Sequence, residues 1–513
     1  MGRLDATAAA MKRFPSRTRI FAIFVMLLTC ALSLSAHVGS PDVYCEGDAG
    51  PYHLYVTVRV PQVIPGVAEI QIRAASHDVG RIEIVPMRLS GPGSNLPPTP
   101  DVTEQSKEDP QFFTGSLWLM EDGALKVRVS VDGAKGKGEF SVPVAAFARQ
   151  TLKMERPLGG LLAFLMMFLA IGLIFIAGAA VREGNLRPGE SSAPGRARRA
   201  RLVMAITAAV VVAILYLGSA WWSAEANNYQ SSVNLFKPPT AETTLENGNR
   251  LIIRAQAQDP RWSKYVKTQE VIPDHNHLMH LFLIGSPKLQ QMWHLHPGRT
   301  TDGAFREDLP AMPAGNYRVF ADIVDKDGFP WTLVGNLDLP QIEGKALAGD
   351  DSTWSGSAFA AAGEDSTVSQ LADGGRMVWQ RPSGPLRANM PMNFRFSVEN
   401  KDGKPAGDLE PYMGMAGHAE FVSTDWTVFA HVHPAGSVSM AALELARTAQ
   451  SGATGELQVG SATMTMPMPT PSILTSSEVS FPYGFPRPGE YRIFVQMKRA
   501  GKIETGVFDA RVE

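Results

Sequence analysis

The sequence predicts a mainly β protein, built of three immunoglobulin- or cupredoxin-like β-sandwich domains plus a two-helix transmembrane hairpin. Three observations carry that prediction. Apolar and polar residues alternate with period two between Gly, Pro and Asp punctuation, as in AEIQIRA, ALKVRVSVDG and MNFRFSVENKDG. That alternation is the pattern of half-buried strands in antiparallel sandwiches. Two uncharged apolar runs, Leu158–Val181 and Leu202–Trp222, hold 24 and 21 residues, and about 20 suffice to span a bilayer. Finally, one pattern of histidines and methionines occurs twice.

The elements follow in chain order. Lys12, Arg13, Arg17 and Arg19 precede an apolar run that ends in small residues near Ala36, so residues 1–36 are expected to be a signal peptide. Residues 37–150 form the first sandwich. Its Ile70 and Ile72 fall on one strand face, with Glu69, Gln71 and Arg73 on the other. Transmembrane helices are expected over 158–181 and 202–222. The loop between them, 182–201, carries six arginines against two glutamates and is expected in the cytoplasm. Neither span carries an ionisable residue, which disfavours an ion or proton path. The flanking domains then lie on the periplasmic side of a bacterial cytoplasmic membrane. A His-rich sandwich over 240–340, a linker over 341–365 and a His/Met sandwich over 366–513 complete the chain.

Those last two sandwiches are read as a repeat. Aligning His280 with His418 superimposes Pro273 on Pro411, His275 on Met413 and His277 on Met415 without a gap. Downstream, His294-x-His296-Pro297 matches His431-x-His433-Pro434, and Gly315-x-Tyr317-Arg318-x-Phe320 matches Gly489-x-Tyr491-Arg492-x-Phe494. The second copy carries an insert, 439–476, with a helical stretch at 440–450 and the run containing Met464, Met466 and Met468.

His and Met share the property of being neutral metal ligands. Two histidines alternating on a strand share one face, about 6.6 Å apart along the backbone, and can converge on one ion. The expected metal ligands are therefore His275, His277, His280, His294 and His296 in the first copy. In the second they are Met413, Met415, His418, His431 and His433. Thioethers favour soft ions, so copper, as Cu(I) or Cu(II), is the expected metal, with zinc a possibility in the first copy. Net charge is −2, giving no case for nucleic acid. Cys45 is the sole cysteine after residue 36, so no intrachain disulfide is expected. Glu307 and Glu420 lie near the histidines in sequence, but no nucleophile–base motif, phosphate loop or carboxylate pair stands out. No catalytic residue is expected.

Residues 51–148, through Gly115-Ser116-Leu117-Trp118 and the strand VRVSVDG, resemble the FixH/YtkA-like extracytoplasmic domains. That resemblance implies an immunoglobulin-like sandwich with a link to copper handling or oxidase assembly. The duplicated module is similar to CopC-type carriers in architecture and ligand usage only. HLHPG, Glu307 and PAGNY resemble the cupin metal motif without its last histidine. Three functions stay open. The favoured one is membrane-anchored extracytoplasmic copper binding, for homeostasis, resistance or delivery to a cuproenzyme. The others are a non-metal interaction module assembling a membrane complex, and a cupin-like metalloenzyme.

Overall fold

The computed structural model describes residues 42–152, 154–187, 189–191, 193–232, 235–258, 266–359, 367–450 and 476–513. The expected signal segment and residues 451–475 of the insert lie outside these. The fold is mainly β, with two long apolar helices.

The first unit is a two-layer sandwich. One sheet holds, in order, Val43–Ala49, Tyr52–Arg59, Gly66–Ala74, Phe112–Leu119 and Glu104–Gln105, and the other Asp101–Val102, Val79–Arg88, Gly123–Gly133 and Gly136–Ala146. Period-two patterning sets the layers: Leu54, Val56, Ile70 and Ile72 of one sheet meet Ile82, Ile84, Val127 and Val129 of the other in a single core. Glu69 and Arg73, which flank the isoleucines, are exposed.

The two apolar helices, Arg156–Glu183 and Pro194–Ser232, are each long and apolar enough to cross a membrane, and their apolar windows are not covered by protein. They run past the expected limits, so half of the Arg-rich loop is helix. Arg and Ala in GRARRAR are good helix formers, and Pro194 starts the helix where a missing N–H costs nothing.

The second unit is one ten-stranded sheet whose two ends share a core. Leu251, Ile253 and Phe305 from one end close over Leu281, Leu283, Trp293 and Val319 from the other. The third unit stacks a sheet of Val368–Gln370, Arg376–Trp379, Met392–Glu399 and Glu478–Tyr483 on a five-stranded sheet. That second sheet contains His418–Ser423, Phe429–Val432, Gly489–Arg499 and Lys502–Val512. The repeat read from sequence is a repeat of structure. Tyr317 Oη donates to Pro313 O at 2.7 Å and Tyr491 Oη to Arg487 O at 2.8 Å, the same corner in each unit.

The stretch 341–365, expected as linker, contains the strand Ser352–Ser355, which pairs with Gln291–Leu295. It also supplies Asp350 and Asp351 to the histidine cluster. Its Gly/Ser/Ala/Asp composition reads as loop because an edge strand needs only backbone pairing.

The units are not beads on a string. In both repeats the strand opening with the aligned histidine, His280–Gly285 and His418–Ser423, is buried at every residue. Leu281 and Leu283, or Ala419 and Phe421, face their own core. The opposite faces pack on one another through Phe282, Ile284, Met292 and Phe320 against Val422, Phe429 and Phe494. Phe320 stacks on Phe429 at 4.2 Å between centroids. The first sandwich docks on the third unit: Glu46 N–H donates to Ala435 O at 2.8 Å and Ser437 N–H to Tyr44 O at 2.8 Å. Gly436, at φ 122°, permits this approach, since a Cβ there would stand 1.9 Å from Tyr44 O. Cys45 is buried in this joint, its thiol pushed up to about 12 by burial.

Candidate metal centre

The histidine faces meet at the seam between the repeats. Each repeat begins its site with a tight turn, Asp274–His277 or Tyr412–Met415, closed by a reciprocal pair of backbone hydrogen bonds. The central residues have φ 52° and 67° at His275 and Asn276, and 49° and 82° at Met413 and Gly414. Positive φ at both positions defines a type I′ turn, for which Asn and Gly at the second position are well suited. His275 Nδ1 donates to Met413 O at 3.0 Å. His275 and Met413 are equivalent positions of the repeat, so the two turn tips touch across a pseudo-two-fold axis.

Ring spacings show how closely the copies agree. His280–His294, His280–His296 and His294–His296 centroids lie 5.4, 5.1 and 4.7 Å apart. Their equivalents His418–His431, His418–His433 and His431–His433 lie 5.4, 5.1 and 4.6 Å apart. Across the seam, His280–His431 is 5.3 Å and His294–His418 is 6.4 Å. All eight predicted histidines therefore form one cluster. The expectation of one ligand set per copy is corrected here: donor atoms converge in two groups, and one of them is mixed. His280, His294 and His296 form the first; His418 and His433 are joined by His275 of the other repeat in the second. Folding the aligned faces together puts the His275 tip nearer its neighbour's strands than its own.

Hydrogen bonding fixes which nitrogens are free. A carbonyl only accepts, so a ring nitrogen facing one carries the proton. His275 Nδ1 faces Met413 O, and His433 Nδ1 faces Val438 O at 3.0 Å. Both Nε2 atoms are then bare, and they face one another at 3.3 Å. The first group repeats this arrangement. His280 Nε2 donates to Asp274 O at 3.2 Å, and His294 Nδ1 to Gln496 Oε1 at 2.8 Å. Gln496 is oriented by its own amide N–H donating to Ser352 Oγ. That leaves His280 Nδ1 and His294 Nε2 bare and 3.2 Å apart. His296 Nδ1 donates to Asp351 Oδ1 at 2.9 Å, and its Nε2 meets no donor or acceptor among the described residues.

Two lone pairs at such distances repel unless a proton or a cation lies between them. A proton is opposed by burial, which pulls His275 and His433 down to about 4 and His280, His294, His296, His418 and His431 well below the ordinary value. A cation fits: bonds of about 2.0–2.1 Å at tetrahedral angles put neighbouring nitrogens about 3.3 Å apart. Each of the five tied rings also has the outer acceptor characteristic of metal-bound histidines.

The remaining predicted residues are placed as follows. His277 stacks on His296 at 3.8 Å between centroids and faces Asp350 Oδ2 at 3.5 Å, beside the first group and outside its converging donors. His431 turns Nδ1 toward Asp322 Oδ2 at 3.4 Å, its Nε2 without a hydrogen-bond partner among the described residues. Met413 is buried and Met415 half-buried.

Sequence reasoning missed the outer residues. Asp322 and Gln496 are equivalent, seven positions after Gly315 and Gly489, and each serves the other repeat's histidine. Asp274 accepts the Ala441 N–H at 2.8 Å, tying the His275 turn to the start of the helix Met440–Gln450. Burial holds Asp274 above the ordinary range and raises Asp322 to about 7. Glu420, cross-strand from His431, is fully buried, with neither oxygen meeting a donor among the described residues. Burial and the nearby Asp322 push its carboxyl well up. Beside the cluster lies a cavity of about 170 Å³ bordered by His277, His280, His431, Phe147, Phe236 and Trp331.

Residues 370–513 match a family described only as a domain of unknown function (DUF8832). Among curated proteins none matches this chain. Solved structures matched along this chain include dimeric latent PorU from Porphyromonas gingivalis, at 9% identity and a TM-score of 0.14 over 92% of this chain and 34% of that one. The native alpha-2-macroglobulin of E. coli is another, at 11% identity and a TM-score of 0.15 over 90% of this chain and 26% of that one. The chain thus spans well under half of either, and both superpositions are too loose to define a shared fold.

Proposed function

We propose that this protein is a membrane-anchored, extracytoplasmic copper-binding protein whose metal centre is built at the seam between its two repeats. The observation that carries the reading is the two pairs of bare imidazole nitrogens, 3.3 Å and 3.2 Å apart, each buried and each with its outer nitrogen committed. Copper is favoured over zinc because methionines stand at two equivalent positions of the turn, and thioethers select soft ions. The role is copper homeostasis, resistance or delivery to a cuproenzyme.

The membrane part of the reading rests on the helix pair and the six arginines between its halves, which the positive-inside rule assigns to the cytoplasm. The first sandwich and the repeats, which flank the helices in sequence, pack on one another, which supports reading both flanks on one side.

Metal analysis of the full-length, detergent-purified chain tests the proposal, since the repeats pack on the first sandwich and are best kept with it. Two copper ions per chain are expected, with the count reduced in His294→Ala and in His433→Ala. A chain that takes up neither copper nor zinc would return the seam to a purely structural role and favour the interaction-module reading.

A further inference from the structure

The geometry points to Met413 as the thioether ligand of the other repeat's ion, the one held by His280, His294 and His296. This inference rests on the copper reading above and adds an assignment that sequence order opposes, since Met413 belongs to the repeat of His418, His431 and His433.

The argument is the exchange observed at His275 and at the equivalent pair Asp322 and Gln496. His275 leaves its own repeat and joins His418 and His433, with ring centroids at 5.1 and 4.8 Å, against 5.9 Å to its own His280. Gln496 reaches across to His294, and Asp322 reaches across to His431. The pseudo-two-fold axis passes between the tips of the two turns, where His275 meets Met413 O. The two turns have the same backbone, φ 52° and 49° at the two tips. Applying the same operation to Met413 carries its side chain toward His280 and His296, the equivalents of His418 and His433. Met413 is 4% exposed, so its thioether is buried, as a ligand position at the seam requires.

The consequence is two ions of unequal softness. The site of His275, His418 and His433 is nitrogen-only, suited to Cu(II) or zinc. The site of His280, His294 and His296 gains one sulfur and suits Cu(I).

The test is copper K-edge X-ray absorption on the full-length chain loaded anaerobically with Cu(I), with the copper count measured on the same samples. A sulfur scatterer at about 2.3 Å is expected in the natural chain and lost in Met413→Leu, while Met415→Leu keeps it. His296→Ala is expected to remove the sulfur signal and His433→Ala to preserve it. The opposite pattern would put Met413 on its own repeat's histidines and overturn the assignment. So would sulfur that survives Met413→Leu, or its absence from a chain that binds copper. A chain without copper would fail the copper reading itself, a different result. Near-isosteric Leu keeps the turn folded, which circular dichroism verifies.

Discussion

Gln496→Leu isolates the reach of one repeat into the other's site. Gln496 is fully buried, 202 positions from His294, and accepts that ring's Nδ1–H at 2.8 Å. Leucine fills nearly the same volume but leaves the Nδ1–H buried without an acceptor, a cost of about 1–3 kcal/mol. The ring is then no longer held in the tautomer that bares Nε2 toward His280. Loss of such an outer partner lowers metal affinity about 10–100-fold, or about 1.4–2.8 kcal/mol. The assay is a chelator competition titration that resolves two stepwise constants, repeated in a His433→Ala background where only the first group is complete. The weakening should appear on the group of His280, His294 and His296 and persist in that background. Gln496→Glu restores an acceptor of the same length and should recover the affinity. If Gln496→Leu leaves both constants within about twofold, the seam does not organise the metal site and the reasoning is wrong.

Two further outcomes follow from the same geometry. Without metal, the folded protein should lose stability as pH falls from about 6.5 toward 4. Seven histidines of the centre are depressed and gain protons on unfolding, while its carboxyls Asp274, Asp322, Asp351 and Glu420 are raised and release them. The histidines outnumber the carboxyls, so the centre takes up protons on unfolding in this window and its contribution to stability rises with pH. Urea midpoints of the metal-free chain that stay level between pH 7 and 4.5 would contradict this. A cysteine placed at residue 190, between the helices, should be labelled by impermeant reagent only after the membrane is opened; labelling in intact cells would invert the topology.

Much of the fold was legible because it rests on local pattern. Ile70 and Ile72, or Phe394 and Phe396, announce a strand face by alternation alone, and both pairs are buried as expected. The repeat was legible because His280, Tyr317 and Phe320 recur at matched spacing. What alternation cannot show is what a face packs against. Phe282 and Glu420 hold equivalent places beside the histidines, one apolar and one acidic, so neither marks an interface by itself. Asp322 and Gln496 fall on the histidine side of strands whose other residues, Val319, Ala321, Ile493 and Val495, fill the cores. A polar residue at the same phase in both copies was the available signal. The partner swap at His275 was not available, because it depends on docking the two sheets rather than on either one.

Placing the ligands on a seam also decides what metal can do to the protein. The apolar half of the seam, with Phe282, Phe320, Phe429 and Phe494 in one cluster, holds the repeats together without any ion. The polar half works against that docking, because its nitrogens face one another bare and its carboxyls are buried. A cation removes the lone-pair repulsion in the mixed group, where His275 belongs to one repeat and His418 and His433 to the other. Ion binding is therefore coupled to repeat docking as well as to the stability of each sandwich. At a free metal concentration of about 100 times the dissociation constant, that coupling contributes about 2.7 kcal/mol per site. The mixed group should spend its share on the seam. The group of His280, His294 and His296 takes its imidazoles from one repeat, and with Met413 as its thioether it would cross the seam through that single ligand. Two ions bound as proposed would therefore both tie the repeats together, one through the imidazole of His275 and the other through the thioether of Met413.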